Sequence, residues 1–220
     1  MTSPQTAPPR LDVLRIAAHL AGLLPVVLIG LAALQGRLTA NPIQYIEQAL
    51  GRGAAYLLLA SLAVTPVVTL TGWRALIRQR RTLGLYAFAN FMLHLLTVAV
   101  VDYGLNWGEL ARLVVEKPYI LAGAAAGLIL LALAVTSFPW WKKRLGKGWK
   151  RLHRLAYLAG GLVMLHYFLA VKGSLATLSG DIARPLALSA LLAVLLALRL
   201  PPVRRRAAAL GQLVRGLLRK

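Results

Sequence analysis

The four histidines are the residues of this sequence best suited to metal or proton chemistry. His19, His94, His153 and His166 all lie within or at the ends of long apolar runs, and none lies in a polar loop. Ionisable side chains inside such runs are costly, and their usual explanation is function. The absence of cysteine excludes disulfides, iron–sulfur clusters, thiolate-ligated heme and covalent c-type heme. Metal chemistry in this chain would therefore rest on imidazole.

His94 and His166 are predicted to lie at matched depth in a membrane. His94 is about eleven residues into the third apolar run (83–101), and His166 is about thirteen into the fifth (153–171). Two odd-numbered spans run in the same direction, so the helical rise places the two imidazoles within about 3 Å of the same level. Such a pair predicts a six-coordinate b-type heme that shuttles electrons. A lone histidine would instead favour an interhelical hydrogen bond or a proton path.

His153 precedes His166 by 13 residues, which is about 20 Å along a helix and would place a second heme towards one face of the membrane. In a regular helix, however, the two side chains would point about 140° apart. Gly160-Gly161 lies between them and is where a distortion is expected.

A second heme at the level of His153 lacks an obvious partner ligand. Counting back 13 or 14 residues from His94 reaches Arg81 and Arg80, which cannot ligate iron. His19, near the predicted cytoplasmic end of the first run, is the other imidazole at a plausible level. The sequence therefore predicts one or two hemes.

The composition requires a surface that faces lipid. Hydrophobic residues make up 59% of the 220 residues and charged residues 15%, against about 25% charged in soluble domains. Six runs approach the roughly 20 apolar residues that a membrane span needs. They are residues 14–34, 54–71, 83–101, 119–137, 153–171 and 183–200. We expect an all-α bundle of six transmembrane helices. The last span is short, so the side chains of Arg184 and Arg199 are expected to extend to the membrane surface, and Pro201-Pro202 ends it. The Gly- and Ala-rich run 122–127 predicts close helix packing or room for a porphyrin edge.

Charge asymmetry predicts the orientation of the six spans. The segments on one face carry 20 Lys and Arg residues and one acid, whereas those on the other carry six basic and five acidic residues. By the positive-inside rule, the N-terminal segment 1–13 and the basic tail 201–220 are both cytoplasmic. This distribution accounts for the net charge of +20 without nucleic-acid binding.

Ordered motifs along the chain resemble the MsrQ family, the heme-bearing membrane subunits of a bacterial methionine sulfoxide reductase system. The motifs are AHLAGLLP (18–25), NPIQYI (41–46), LLLASLAVTP (57–66), LIRQRRTLGLYAF (76–88), MLHLLT (92–97), KPYILAG (117–123), LALAVTS (131–137), RLGKGWKRLHRLAYL (144–158) and LHYFLAVK (165–172). The resemblance covers residues 14–200. It implies a six-helix bundle of the ferric reductase and NADPH oxidase type, which binds b-type heme between spans three and five.

The resemblance also implies roles for individual residues and a second cofactor. His94, His153 and His166 would be the heme-associated histidines, and His19 lies in a family-like motif with a less clear role. FMN is implied near the cytoplasmic face. Arg78, Arg80 and Arg81 are predicted topology determinants, with contact to heme propionates or a flavin phosphate as the alternative.

The implied partners lie on both sides of a bacterial inner membrane. No G-x-G-x-x-G unit follows the sixth run, so electrons are expected from a separate donor. The resemblance implies a cytosolic flavin reductase or a quinol as donor, and a periplasmic molybdopterin catalytic subunit as acceptor. The chain itself is expected to perform no substrate chemistry.

Three alternatives stay open. A proton-coupled or solute transporter would predict intramembrane acids and an internal repeat, and neither is visible in the sequence. A stand-alone ferric reductase or quinol oxidase would share the heme but act on a small substrate. An apolar scaffold without cofactor would leave the matched histidines unexplained.

Overall fold

The computed structural model describes residues 12–171, 173–174 and 179–217, with the backbone alone for 173–174, 179–180 and 214–217. Most of the predicted N-terminal segment, and residues 218–220 of the predicted tail, lie outside the described residues. Within these limits the fold is α-helical, apart from one antiparallel pair of two-residue strands, β1 (Gly173–Ser174) and β2 (Ser179–Gly180).

Ten α-helices follow one another along the described chain. They are α1 Val13–Leu34, α2 Pro42–Thr71, α3 Gln79–Leu96, α4 Trp107–Glu116, α5 Pro118–Val135, α6 Pro139–Leu145, α7 Lys147–His153, α8 Leu155–Ala170, α9 Ala183–Ala197 and α10 Pro201–Leu217. A 3₁₀ segment, Arg74–Arg78, leads into α3, and a π-helical segment, Thr97–Asp102, continues it.

Local sequence explains where the long helices begin and end. The Asp12 and Asn41 side chains accept hydrogen bonds from the first-turn amides of Arg15 and Gln44, as N-cap residues do. Proline opens α2 and α5, where its missing N–H costs nothing. Gly72 closes α2 in the left-handed conformation, at φ 73°.

The core lies where α2 packs against α3 and where α5 packs against α8. Its most buried residues include Leu62, which is 1% exposed, and Ala87 and Ala159, which are fully buried. Most of the large apolar residues of α1 remain exposed. An apolar outer surface around a small core is the arrangement expected of helices in lipid.

In the part of the chain that the structure describes, four helical stretches are long and apolar enough to cross a membrane: Val13–Leu34, Pro42–Thr71, Arg74–Asp102 and Pro118–Val135. The bent pair α9 and α10 would make five if counted as one span. The predicted fifth span corresponds to α8, which has 16 residues and follows α7 after a break at Arg154. The structure thus has several candidate membrane helices, and the count of six stays a prediction.

The chain bends by 88° between α9 and α10, at Pro201-Pro202. The sharp end predicted for the last apolar run is therefore found. Residues 201–217, expected only to form a basic tail, are instead a helix packed against α2, with Gly211 against the backbone of Leu70. The helices α1 and α3 begin at one end of the bundle, and α2 and α5 finish there. We call this the basic end.

Candidate functional site

His94 and His166 come together between the two packed helix pairs. His94 is in the last turn of α3 and His166 is in α8. Their ring centroids are 6.4 Å apart, with 73° between the ring planes. The structure therefore juxtaposes the two histidines that were singled out by their depth in the sequence.

Each of these imidazoles is held through Nδ1 by a backbone carbonyl of the neighbouring helix. The His94 Nδ1 lies 2.9 Å from the carbonyl oxygen of Glu47 in α2, and the His166 Nδ1 lies 2.7 Å from that of Tyr119 in α5. A carbonyl can only accept, so Nδ1 carries the proton and donates in both contacts. Nε2 is left with its lone pair on both rings, which is the tautomer needed to ligate a metal through Nε2.

A glycine one helical turn after each carbonyl makes room for the ring. A Cβ atom built on Gly51 would lie 3.4 Å from the His94 Nδ1, and one built on Gly123 would lie 2.7 Å from the His166 Nδ1. The second distance is shorter than real Cβ contacts. The run 122–127 thus gives close packing at this point, and a side chain at position 123 would displace His166.

The two histidine sites are related by a constant sequence offset. Glu47 and Tyr119, Gly51 and Gly123, and His94 and His166 are each 72 residues apart. The same offset joins four pairs of buried positions on α2 and α5: Leu50 and Ala122, Ala54 and Ala126, Leu58 and Leu130, and Leu62 and Ala134. It also joins the fully buried Ala87 and Ala159 on α3 and α8. Two helix pairs with matching buried faces therefore present one imidazole each.

The paired imidazoles fit a metal held mainly by a macrocycle. Metal–imidazole bonds are about 2 Å long, so two trans imidazoles sharing one metal have ring centroids about 6.3 Å apart. The observed 6.4 Å agrees with this separation. No group of three or more His, Asp or Glu side chains that could hold a metal occurs among the described residues. With two protein ligands at hand, the remaining coordination positions would be filled by a group such as a porphyrin.

The backbone after His94 also departs from a regular helix. The π-helical segment Thr97–Asp102 begins three residues later, and its first amide bonds to the His94 carbonyl. Single π turns are rare in helices and occur often at functional sites.

His153 lies apart from the other three histidines. Its ring stacks on Trp149 with centroids 3.9 Å apart, and its Nε2 is 3.2 Å from the Thr136 hydroxyl. The expected distortion at Gly160-Gly161 is absent, because α8 runs through both glycines; the break falls at Arg154. His153 thus ends α7 near the basic end, with no imidazole among its ring contacts.

His19 also lies towards the basic end, between α1 and α3. Its Nδ1 is 2.9 Å from the Tyr86 hydroxyl, and its ring lies edge-on to the Tyr86 ring. It lines two adjoining open grooves of about 340 Å³ each, one apolar and the other lined by Asp12, Arg15 and Arg78. The structure therefore does not pair His19 with His153.

The three arginines singled out by sequence have separate surroundings. Arg78 is paired with Asp12 at 3.9 Å and is largely exposed. The Arg81 guanidinium lies over the Phe138 ring, 5.6 Å from its centroid. The Arg80 carbonyl accepts a hydrogen bond from Ser61 at 2.9 Å. Arg80 is 14 residues from His94, or about 21 Å along a helix, which is too far for these arginines to reach propionates at that level.

Two side chains that sequence reasoning missed are Asn90 and Arg199. Asn90 is 2% exposed, and its amide donates to the carbonyls of Gly22 and Tyr86, which ties α1 to α3. Arg199 was expected to extend to the membrane surface. It instead turns inward and donates to the Tyr157 hydroxyl and the Leu62 carbonyl. Neither residue has a local sequence signal for its contact with another helix, because Gly22, Tyr157 and Leu62 each lie more than 40 residues from the side chain that they bind.

The comparisons with known proteins identify the family of the chain. A family model described as the ferric reductase like transmembrane component matches residues 50–165. Three relatives are each named protein-methionine-sulfoxide reductase heme-binding subunit MsrQ. The one from Rhodospirillum rubrum is 45% identical over 87% of this chain and 90% of its own length. Those from Cronobacter sakazakii and Herminiimonas arsenicoxydans are 44% and 38% identical, over 72% and 88% of this chain and 80% and 87% of their own lengths. No solved structure matches the chain.

The stretch that the family model matches contains His94 and Gly123 and ends one residue before His166. The chain therefore belongs to the MsrQ family, within the ferric reductase like transmembrane proteins.

Proposed function

We propose that this protein carries electrons across the membrane through a b-type heme held by His94 and His166. The observation that carries the proposal is the pair of rings 6.4 Å apart, each fixed through Nδ1 to a helix carbonyl. The relatives, which are named heme-binding subunits of a protein-methionine-sulfoxide reductase, support the same role. When bound, the heme supplies a one-electron redox centre.

The residues of the chain fix and isolate that centre. The Glu47 and Tyr119 carbonyls hold the proton on Nδ1, which keeps Nε2 available and sets the direction of each ring. The surrounding helices present apolar side chains, which keep water away and lower the local dielectric. Because two imidazoles would fill both axial positions, we expect electron transfer without substrate chemistry at the heme.

The proposed route runs from the basic end to the opposite end of the bundle. We propose that both termini face the cytoplasm of a bacterial cell and that the membrane is the inner one, because 20 of the 26 basic residues lie on that side. The donor would be a cytosolic flavin reductase or a membrane quinol. On the family resemblance, the acceptor would be a periplasmic molybdopterin subunit that reduces methionine sulfoxide in damaged proteins. The relatives' names support only that the system is a protein-methionine-sulfoxide reductase. FMN enters the proposal on the family resemblance alone.

We propose a single heme per chain at the His94–His166 pair. The partners of His153 are Thr136 and Trp149, and the partner of His19 is Tyr86. Neither offers the second imidazole that another six-coordinate heme would need.

A reduced-minus-oxidised absorbance spectrum of the purified chain, with heme quantified per chain, tests the proposal. We expect a b-type spectrum and about one heme per chain, as one six-coordinate site implies. Absence of a b-type signal from protein made with ample heme would overturn it.

A second measurement separates the proposed role from a stand-alone ferric or quinol oxidoreductase. The reduced protein is mixed either with a purified periplasmic molybdopterin subunit or with a ferric chelate, and heme reoxidation is followed. Faster reoxidation by the protein partner supports the proposed route. Reoxidation by the chelate alone would favour the stand-alone enzyme.

A further inference from the structure

The last helix, α10, is basic and is set at a steep angle to the helix before it. Its residues, Pro201–Leu217, include four arginines and no acidic residue. It meets the apolar helix α9 at 88°, at Pro201-Pro202. A helix at nearly a right angle to a membrane-crossing neighbour lies close to the membrane plane. The angle therefore argues against α10 continuing α9 across the bilayer.

The contact of α10 with α2 places α10 at the level of the membrane surface. Gly211 is buried against the backbone of Leu70, one residue before α2 ends at Thr71. A Cβ atom at Gly211 would overlap the Leu70 carbonyl, so glycine is what allows this close approach. Trp73, which is 53% exposed, follows three residues after Leu70. Because tryptophan is enriched where membrane meets water, we place this contact at that interface.

One side of α10 carries an apolar stripe that the protein does not cover. Leu210 and Leu213 are 59% and 67% exposed. They are three residues apart in a helix, so they lie on the same face. In water these two leucines would leave apolar surface hydrated, whereas the edge of a bilayer would bury it. The stripe therefore fits lipid better than it fits solvent.

The positive charge of α10 has no counter-charge in the protein. Arg204, Arg205 and Arg206 are exposed, and none of the ion pairs in the described part of the chain includes them. By helical geometry, Arg204 and Arg205 point about 150° and 110° away from the mean direction of the two leucines. Arg206 lies on the leucine side, one turn before Leu210, where its long stem can carry the charge outward. This arrangement complements a surface that is apolar inside and negative outside.

We propose that α10 is an interfacial helix that binds the anionic phospholipid surface of the membrane at the basic end. The leucines of such a helix enter about 5–10 Å into the boundary between headgroups and acyl chains. Each arginine near an anionic surface favours binding by roughly fivefold. This surface is separate from the paired histidines, because Leu70 is about 28 Å along α2 from Gly51, which faces His94.

The test exploits the absence of cysteine from the sequence, since a single introduced thiol then reports on a single position. Leu213→Cys and Gln212→Cys are each labelled with bimane in the full-length protein. The labelled proteins are placed in nanodiscs of phosphatidylcholine alone or of phosphatidylcholine with phosphatidylglycerol. Gln212 is the matched control, because it is exposed and adjacent but points about 130° away from the mean direction of the two leucines.

Two quenchers then locate each label. In the anionic discs we expect brominated acyl chains to quench the label at position 213 more strongly than the label at 212, and acrylamide in the water to do the reverse. The contrast should be smaller in the neutral discs. Equal quenching of both labels by acrylamide in the anionic discs would overturn the proposal, because α10 would then lie outside the bilayer, in water or available to a protein. Equal quenching by the brominated chains would also overturn it, because α10 would then be immersed as part of a broken span.

A charge variant tests the preference for anionic lipid. It replaces three consecutive arginines of α10 by glutamine: Arg204→Gln, Arg205→Gln and Arg206→Gln. The control removes the same charge from exposed residues around the end of α7: Lys150→Gln, Arg151→Gln and Arg154→Gln. We expect the α10 variant to lose the difference between anionic and neutral discs at position 213, and the control to keep it. Equal loss in both would show a response to net charge alone and would overturn the proposal. Heme content, measured in the same samples, should equal that of the wild type, so failure here is distinct from failure of the heme proposal.

Discussion

The helix pair α2–α3 and the helix pair α5–α8 each hold one histidine ring in the same way, although their sequences differ. In each pair a histidine on the second helix donates through Nδ1 to a carbonyl of the first, and a glycine four residues after that carbonyl faces the ring. The offset of 72 residues holds for all three positions. Apart from the histidine itself, what the two pairs share is backbone geometry and buried apolar residues.

The two pairs differ most at the basic end. His153, which ends α7 just before α8 begins, corresponds at the same offset to Arg81 of the first pair. Arg81 stacks on Phe138, and His153 stacks on Trp149. The offset therefore matches two facing imidazoles at the level of His94 and His166, but an arginine and one imidazole at the level of Arg81 and His153. This difference is the structural reason for proposing one heme and not two.

Removing either facing histidine should have the largest effect. We expect His94→Ala and His166→Ala each to retain less than about one-tenth of the wild-type heme, because each deletes one of two axial ligands. Heme per chain, measured on protein of unchanged helical content, checks this. Retention of full heme by one of the two variants would mean that the helix pairs do not contribute equally.

Filling the two glycine positions should have unequal effects. Gly123→Ala places a methyl group 2.7 Å from the His166 Nδ1, whereas Gly51→Ala places one 3.4 Å from the His94 Nδ1. We expect Gly123→Ala to lower heme affinity about tenfold, as changes to residues that orient a metal ligand do, and Gly51→Ala to lower it less. Gly161→Ala is the control, because a Cβ there meets nothing within 4 Å. Equal losses at positions 51 and 123 would show that the His166 ring adapts freely.

Asn90 distinguishes the first helix pair from the second, which has Leu162 at the corresponding position. Asn90→Ala removes the hydrogen bonds to the Gly22 and Tyr86 carbonyls. We expect it to lower the free energy of unfolding by about 1–3 kcal/mol, the usual range for loss of buried hydrogen bonds. Thermal unfolding checks this, with Thr69→Ala as control because its hydroxyl bonds only within its own helix. Similar losses in both variants would show that Asn90 does not stabilise the contact between α3 and α1.

His153→Ala should have the smallest effect on heme. Its neighbours are Trp149 and Thr136, so we expect its b-type spectrum and heme content to stay within about a tenth of wild type, as for a residue that does not ligate iron. Loss of about half of the heme would show that a second heme is bound, and the proposed difference between the two helix pairs at the basic end would then be wrong.

Several features of the molecule could be read from the sequence without tertiary information. The apolar runs predict helices, because about 20 apolar residues match the thickness of a bilayer. The pairing of His94 with His166 followed from counting helical rise along two spans of the same direction. The bend at Pro201-Pro202 followed from the chemistry of proline. Each of these depends on local residues and on fixed helical geometry.

Other features were wrong or invisible at the level of sequence. Arg199 was expected to reach the membrane surface, but its hydrogen-bond partners are Tyr157 and the carbonyl of Leu62, 42 and 137 residues away. The tail after residue 200 was not expected to form a helix. Most of the run 153–171 forms α8, but its first residue, His153, ends α7, and the break between the two helices falls at Arg154. The contacts of Trp149 and His153 with Thr136 accompany the end of α7.

The sequence by itself determined that the chain belongs in a membrane, which histidines lie at one depth, and which end carries the positive charge. The tertiary structure decided which atom of each imidazole is tied down, how tightly Gly51 and Gly123 hold the rings, and which oxygens Arg199 binds. The physical reason is that hydropathy and helical rise are properties of a segment. A hydrogen bond between residues 47 positions apart exists only once the helices are packed.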